Sequence, residues 1–449
     1  MSDVGNSGGP LGPPDGRRAA TGAQGATGRA AGRRGAGAGA GEAPPTAEDV
    51  LGHRVTVVGI GADGWDGLGG AARDALRSAE VLVGGARQLA MLPDFAAECV
   101  AVAWPSPMLP ALPALFEEHR GRRVVVVASG DPMFFGVGTT LVRLLGASNV
   151  RVLPHVSSVS LACARLGWSL EDTDVVTAVG RPLAALNRLL APGRRVLVLS
   201  ADAGTPREVV ELLDEQGFGA SEVTVLERLG GPDERVGPPR ADVAALNIVA
   251  VDCRGAGVQV VPGLPDDAYE HDGQLTKREV RAITLARLAP VPGELLWDVG
   301  AGAGSIAIEW MRAHRSCRAV AVEARAARAD AIRANAGRLG VPALRVVVGE
   351  APKALDGLDG PDAVFVGGGV TADGMIDACW AALRPGGRLV ANAVTLESES
   401  ALVEARGRWG GELTRVEVSR AGPVGGFTGW RAKMPVTQWC AVKGSAVES

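Results

Sequence analysis

Residues 295–310 read LLWDVGAGAGSIAIEW, and this stretch decides the fold of the second half of the chain. An apolar run ends in Asp298-Val299-Gly300-Ala301-Gly302-Ala303-Gly304, and a helical pattern follows at once. Glycines accept backbone conformations closed to other residues and let a ligand approach the main chain, while the following helix presents its N-terminus. Glu323 closes the next apolar run, AVAVE, where a carboxylate can accept both hydroxyl hydrogens of a ribose. A tight turn that needs small residues is the plainer alternative. The G-x-G-x-G spacing, in place of G-x-G-x-x-G, leans toward S-adenosylmethionine over a dinucleotide.

Working outward, LTKREVRAITLARLA reads as a helix, with Thr276 and Glu279 at capping-box spacing. After Glu323 come a helix, strands in LRVVVGE and DAVFVGGG, a helix ending at LRPGG, a strand in RLVANAV, and late strands near LTRVEVSR and VTQWCAV. Regular alternation closed by two strands predicts a doubly wound, Rossmann-like sheet with an antiparallel edge over residues 266–449. The segment GGFTGWRAKMP lies between the last two strands, where a lid over a substrate would sit.

Residues 50–252 carry short β-branched runs bounded by Gly and Pro, among them VTVVGIG, RVVVVASGDP and NIVAVD, interleaved with helical stretches such as REVVELLDEQG. They read as a separate α/β domain whose strands are buried on both faces. Residues 253–265, rich in Gly and Pro, read as a linker. Residues 1–49 are dominated by Gly, Ala, Arg and Pro and read as a disordered tail without the apolar core of a secretory signal.

Composition narrows the function classes. The 449 residues carry a formal net charge of −4, which argues against a nucleic-acid partner. No apolar run approaches the roughly 18 to 20 residues that span a bilayer. The six cysteines form no C-x-x-C pair and the five histidines no cluster, so neither a metal site nor a disulfide framework is expected. A cytoplasmic, metal-independent protein is the expectation.

The second half closely resembles the decarboxylating methyltransferase module of cobalamin biosynthesis. GLPDDAYEHDGQLTKREVRAITLARL, LWDVGAGAGSIAIEW, AVEA, VGEAPKAL and DAVFVGGG carry the match over residues 264–369. The resemblance implies that Gly300, Ala301, Gly302, Ala303, Gly304, Glu323, Thr276 and Ala351 hold S-adenosylmethionine. The first half is similar to the tetrapyrrole methylase family through VTVVGIGADG, SGDPMFFGVG and PHVSSVSLACARLGW. That similarity implies a second cofactor cleft at Gly59, Gly61, Gly130, Asp131, Met133, Ser157 and Ser158. Phe134 and Phe135 read as core. Two stretches depart from the family: GIGADG stands where relatives commonly have GIGPG, and TAVGR where they have SLHGR.

Joined, the two resemblances imply methylation of a precorrin at C15 with loss of the C12 acetate carboxyl in the second domain, and at C5 in the first. They also imply a tetrapyrrole substrate as partner, with neither nucleic acid nor membrane, and a homo-oligomer is the expectation for the chain. Such a substrate bristles with carboxylates, for which Lys277, Arg278, Arg281, Arg431 and Lys433 are the candidate partners, each otherwise a solvated surface residue. No nucleophile–base constellation stands out, as expected where the nucleophile is a carbon of the ring. Asp272, Glu279 or water is the candidate carrier of the decarboxylation proton. An RNA or DNA methyltransferase, a dinucleotide-dependent oxidoreductase and a non-catalytic first domain that scaffolds the substrate are the competing readings.

Overall fold

The computed structural model describes residues 54–255 and 262–444. The tail read over 1–49 and the middle of the linker lie outside the described residues. The first sheet is wholly parallel, in the order β3-β2-β4-β1-β5. Its strands are β1 (Val55–Ile60), β2 (Val81–Gly84), β3 (Val100–Ala103), β4 (Val124–Ser129) and β5 (Val150–Leu153). Val57, Val83 and Val126 are fully buried on one face, and Val58, Leu82 and Val127 on the other, as near-continuous valine runs require.

A second sheet follows in the order β6-β7-β10-β8-β9. It consists of β6 (Thr173–Thr177), β7 (Arg195–Leu199), β8 (Glu222–Glu227), β9 (Arg235–Gly237) and β10 (Asn247–Asp252). Only the β6–β7 pair is parallel; β10 runs antiparallel to both its neighbours. The strands β3, β6 and β9 were not read from the sequence; each lies at an edge of its sheet and carries a weaker apolar run than its neighbours. The halves meet where Asn187 Nδ2 donates to the carbonyls of Gly337 and Arg338 at 3.3 and 3.2 Å.

The third sheet is the one the glycine stretch announces. Its strands are β11 (Leu295–Val299), β12 (Arg318–Glu323), β13 (Arg345–Val348), β14 (Ala363–Val366), β15 (Arg388–Ala393), β16 (Glu412–Val416) and β19 (Val436–Val442). A small hairpin, β17 (Ser419–Val424) with β18 (Phe427–Ala432), stands outside it. The order is β13-β12-β11-β14-β15-β19-β16, with the first five strands parallel and β19 antiparallel to β15 and to β16. The expected doubly wound sheet with an antiparallel edge is therefore present. The GGFTGWRAKMP segment, expected between the last two strands, instead supplies the turn and second strand of the hairpin, with Phe427 and Trp430 exposed.

Helices 278–288, 305–313 and 326–338 pack on one face of this sheet around Leu296, Ala321 and Phe365. Helices 375–382 and 396–409 cover the other around Trp297, Val364 and Trp439. The chain leaves β11 outward to β12 and β13, then returns to β14 on the other side of β11. Such a reversal opens a crevice at the strand ends where ligands of doubly wound folds bind.

Candidate active site

The crevice is occupied by the glycine loop. Gly300, Gly302 and Gly304 have φ of 70°, 59° and 76°, the left-handed region that glycine enters without strain. A Cβ on Gly300 would lie 2.9 Å from the Gly368 nitrogen, so the loops after β11 and β14 close together only because both are glycine-rich. Gly300 and Ala301 donate to the Val322 carbonyl at 3.0 and 3.1 Å, which pins the loop to β12. Glu323 at the end of β12 is buried and accepts from the backbone N–H of Gly302 at 2.9 Å and of Arg325 at 3.0 Å. Its carboxylate is thereby held at the wall of a cavity of ≈ 990 Å³.

Gly300, Ala301, Gly302, Glu323, Thr276, Ala351, Lys277 and Lys433 all line this cavity. Ala303 and Gly304 do not. Ala303 is buried in the core below the loop, and a Cβ on Gly304 would lie 2.7 Å from Ile332. Those two positions shape the turn and do not face the cavity.

A strap over residues 262–277 crosses the glycine loop; a Cβ on Gly302 would come within 3.0 Å of the Gln274 carbonyl. Its anchor is the buried carboxylate of Glu309, which accepts from the backbone N–H of Gly263 and Leu264, from Tyr269 Oη at 2.9 Å and from Arg281 Nε at 2.6 Å. Arg281 has no exposed surface and also donates to the Thr276 and Leu264 carbonyls and to Asp266. The sequence reading of Arg281 as a substrate-binding residue is therefore corrected: each of its three guanidinium nitrogens is bonded inside the protein and none is exposed.

The helix predicted to start with a Thr276–Glu279 capping box starts instead at Arg278, with Lys277 as N-cap and no side-chain cap from Lys277. The Arg278 N–H is satisfied by Asp266 at 2.9 Å, from twelve residues earlier. Arg278 is not at the cavity wall. Glu279 turns away from its helix end to Arg420 of β17, with both oxygens 2.7–2.8 Å from Arg420 Nη2. That guanidinium holds the Glu279 carboxyl below its usual range, and Arg328, 2.8 Å from Asp272, does the same there. Both are thus ionised near neutral pH, and neither carries a proton to donate. Arg431 sits on β18 outside the cavity wall, with Nη2 bonded to the Pro423 carbonyl at 2.6 Å. Arg420, Arg325, Arg328 and Asn392 line the cavity and were missed, because nothing in their local sequence distinguishes them from surface positions.

The first half holds a smaller cavity of ≈ 410 Å³, lined by Gly61, Gly130, Asp131, Ser157 and Ser158. Gly59 is not at its wall, but a Cβ there would stand 2.0 Å from the Gly130 carbonyl, so its absence lets the two loops meet. Met133 lies off the wall, its N–H donating to Asp131 Oδ1 at 2.9 Å. Ser157 lines the cavity and also caps helix 158–166 through the Ser160 N–H at 3.0 Å. Asp63, from the divergent GIGADG loop, meets His155 Nε2 at 2.9 Å, fastening that loop to the one after β5. Phe134 and Phe135 correct the sequence reading: they line the cavity, Phe134 40% exposed and Phe135 at φ 54°, because SGDPMFF is a turn with no inward face.

Among the described residues there is no cluster of His, Cys, Asp or Glu able to hold a metal ion, and no helix is long and apolar enough to cross a membrane.

Two clefts, each behind glycine loops at parallel strand ends, define a chain of two methyltransferase modules. Residues 54–245 match the family described as Tetrapyrrole (Corrin/Porphyrin) Methylases, and residues 267–443 match the Precorrin methyltransferase domain. A "Precorrin-6Y C(5,15)-methyltransferase [decarboxylating]" of Sinorhizobium sp is 49% identical over 403 residues, covering 87% of this chain and 96% of that protein. One of the same name from Mycobacterium tuberculosis (strain CDC 1551 / Oshkosh) is 48% identical over 399 residues, 87% of this chain and 100% of the relative. The crystal structure of the C-terminal domain of precorrin-6Y C5,15-methyltransferase from Rhodobacter capsulatus is 47% identical, covering 41% of this chain and all of that one, with a TM-score of 0.40. The chain belongs to the family of decarboxylating precorrin-6Y C5,15-methyltransferases.

Proposed function

We propose that the chain methylates a precorrin twice from S-adenosylmethionine, at C15 with loss of the C12 acetate carboxyl in residues 266–449, and at C5 in residues 50–252. The observation that carries this reading is the left-handed glycine loop closed against Gly368, with the Glu323 carboxylate at the wall of the same cavity. A donor of this kind supplies a methyl group on positively charged sulfur, already activated for displacement.

The residues present fit that donor. Gly300 and Gly302 let the backbone approach it, and Glu323, held by two backbone N–H groups, keeps oxygen lone pairs for ribose hydroxyls. Thr276 and Ala351 close the wall on either side. In the first half Gly61, Gly130, Asp131, Ser157 and Ser158 do the corresponding work around the smaller cavity.

Lys277 and Lys433, on the wall of the larger cavity, take carboxylates of the ring periphery, where charge-assisted bonds are strongest. Orientation is the main service such a site performs, and fixing two reactants in line supplies roughly 7–11 kcal/mol of a barrier. Asp272 and Glu279 are both held as carboxylates by arginines, which leaves water, of the three candidates, as the carrier of the proton that completes decarboxylation.

The test is mass spectrometry of the product formed by the full chain from S-adenosylmethionine and a reduced precorrin-6 substrate. Two methyl groups gained and one carboxyl lost is the expected result. Cofactor binding without any change of the substrate would overturn the substrate assignment.

A further inference from the structure

The wall of the larger cavity carries a carboxamide, that of Asn392. Asn392 sits near the end of β15, two strands from the glycine loop of β11, or roughly 9–10 Å across the sheet. Its neighbours at this end of the sheet are Val394, Val436 of β19 and Val416 of β16, all on the cavity wall. Behind it lies a neutral, buried pair. Gln438 pairs with Asn392 across the two strands and donates from Nε2 to Asn392 Oδ1 at 2.8 Å and to Thr284 Oγ1 at 3.0 Å. Asn392 Nδ2 donates to the same Thr284 oxygen at 3.3 Å, and Thr284 passes its own hydrogen to the Val280 carbonyl at 2.8 Å.

Gln438 is 1% exposed and Thr284 fully buried, so both are sealed off by the residue they hold. Burying two uncharged polar side chains with this many mutual bonds is costly unless each has a partner, and the Gln438 Oε1 atom has none. What the arrangement secures is one orientation of the Asn392 carboxamide. One hydrogen of its Nδ2 is spent on Thr284, and the second is left for whatever occupies the cavity.

We propose that Asn392 is a substrate-contacting residue that donates to the acetate carboxylate lost as carbon dioxide, with Gln438 and Thr284 as its positioning residues. This rests on the methyltransfer and decarboxylation reading above. The chemistry favours a neutral donor at this spot. A lysine or arginine would stabilise the ionised carboxylate in the ground state, and so oppose its departure. A carboxamide holds the group by a single neutral hydrogen bond, which stabilises it less than a full charge would, and the service it performs is orientation. In the step itself the bond from the methylene to the carboxyl carbon breaks, its electron pair enters the conjugated ring and carbon dioxide leaves. The pair then returns to the methylene carbon as water delivers a proton, leaving a methyl group.

Full-length Asn392→Ala, Asn392→Asp and Gln438→Met proteins, each with S-adenosylmethionine and the reduced precorrin substrate, test the assignment. Methyl transfer is followed as S-adenosylhomocysteine formed, and carboxyl loss by product mass. In Asn392→Ala, carboxyl loss is expected to slow about 10- to 100-fold relative to methyl transfer, with cofactor affinity unchanged. Asn392→Asp, of the same size and facing the carboxylate with a like charge, is expected to lose more, and it decides the matter if the alanine variant does not fold. Gln438→Met is expected to shift the same ratio less. Equal rates to wild type, or both reactions slowed in the same proportion, would overturn the role of Asn392. A wild-type protein that transfers no methyl group would instead overturn the reading of the whole site.

Discussion

Asp298 shows how much one residue of the glycine motif costs the fold. It is fully enclosed at the end of β11, one oxygen accepting from the Ala307 N–H at 3.0 Å and the other without a partner. Burial, aided by the nearby Glu323 charge, pushes its carboxyl up to about 7. In the unfolded chain the group titrates near 4. Between those values the native state binds the proton that the unfolded state has released, so this stabilisation is complete below about pH 4 and is lost as pH rises through about 7. Its span is on the order of 4 kcal/mol. Asn in its place keeps the acceptor for Ala307 and removes the titration. Asp298→Asn should therefore flatten the fall in melting temperature between about pH 4 and 7; a slope identical to wild type would show that the folded protein takes up no proton at this carboxylate.

At the scale of elements, the strap over residues 262–277 and its Glu309 anchor matter most. A Tyr269→Phe change removes one donor from a buried carboxylate while leaving the Arg281 pair in place. Hydrogen bonds to charged groups contribute about 1.5–3 kcal/mol, and urea unfolding should show a loss of that size. Because the strap carries Gln274, Thr276 and Lys277 to the cavity wall, calorimetry should also show weaker S-adenosylmethionine binding; unchanged affinity would mean the strap holds its shape without the bond.

The glycine loop, Glu323 and the parallel strands were legible in the sequence because each is a local pattern with a local physical cause. The helix end of the strap was legible only as a capping box, and wrongly: the helix starts at Arg278, and the orphan Arg278 N–H is taken by Asp266 instead of by a Thr276–Glu279 pair. Arg281 is a general lesson of the same kind. Nothing in REVR says that its guanidinium faces a carboxylate on the next helix and not solvent, since that partner, Glu309, lies 28 residues further on. The hairpin was hidden for another reason. Its strands are exposed on both faces, so the apolar alternation that betrays a half-buried strand is missing.

For the molecule as a whole, the question is whether the two clefts work independently on one substrate. Each contains a position where a single added carbon cannot fit. A Cβ on Gly59 would overlap the Gly130 carbonyl at 2.0 Å, and one on Gly300, already at φ 70°, would meet the backbone of Gly368 at 2.9–3.0 Å. Neither change touches the other sheet, so each should disable one cleft and spare the other half's fold. In the full chain, Gly300→Ala should leave a protein that neither removes the carboxyl nor methylates C15, while a C15-methylated, decarboxylated substrate supplied directly is still methylated at C5. Gly59→Ala should do the reverse, giving a product with one methyl gained and the carboxyl lost. Loss of both reactions in either variant, with the melting temperature preserved, would mean that the clefts depend on each other, through contacts such as the one Asn187 makes with the carbonyls of Gly337 and Arg338.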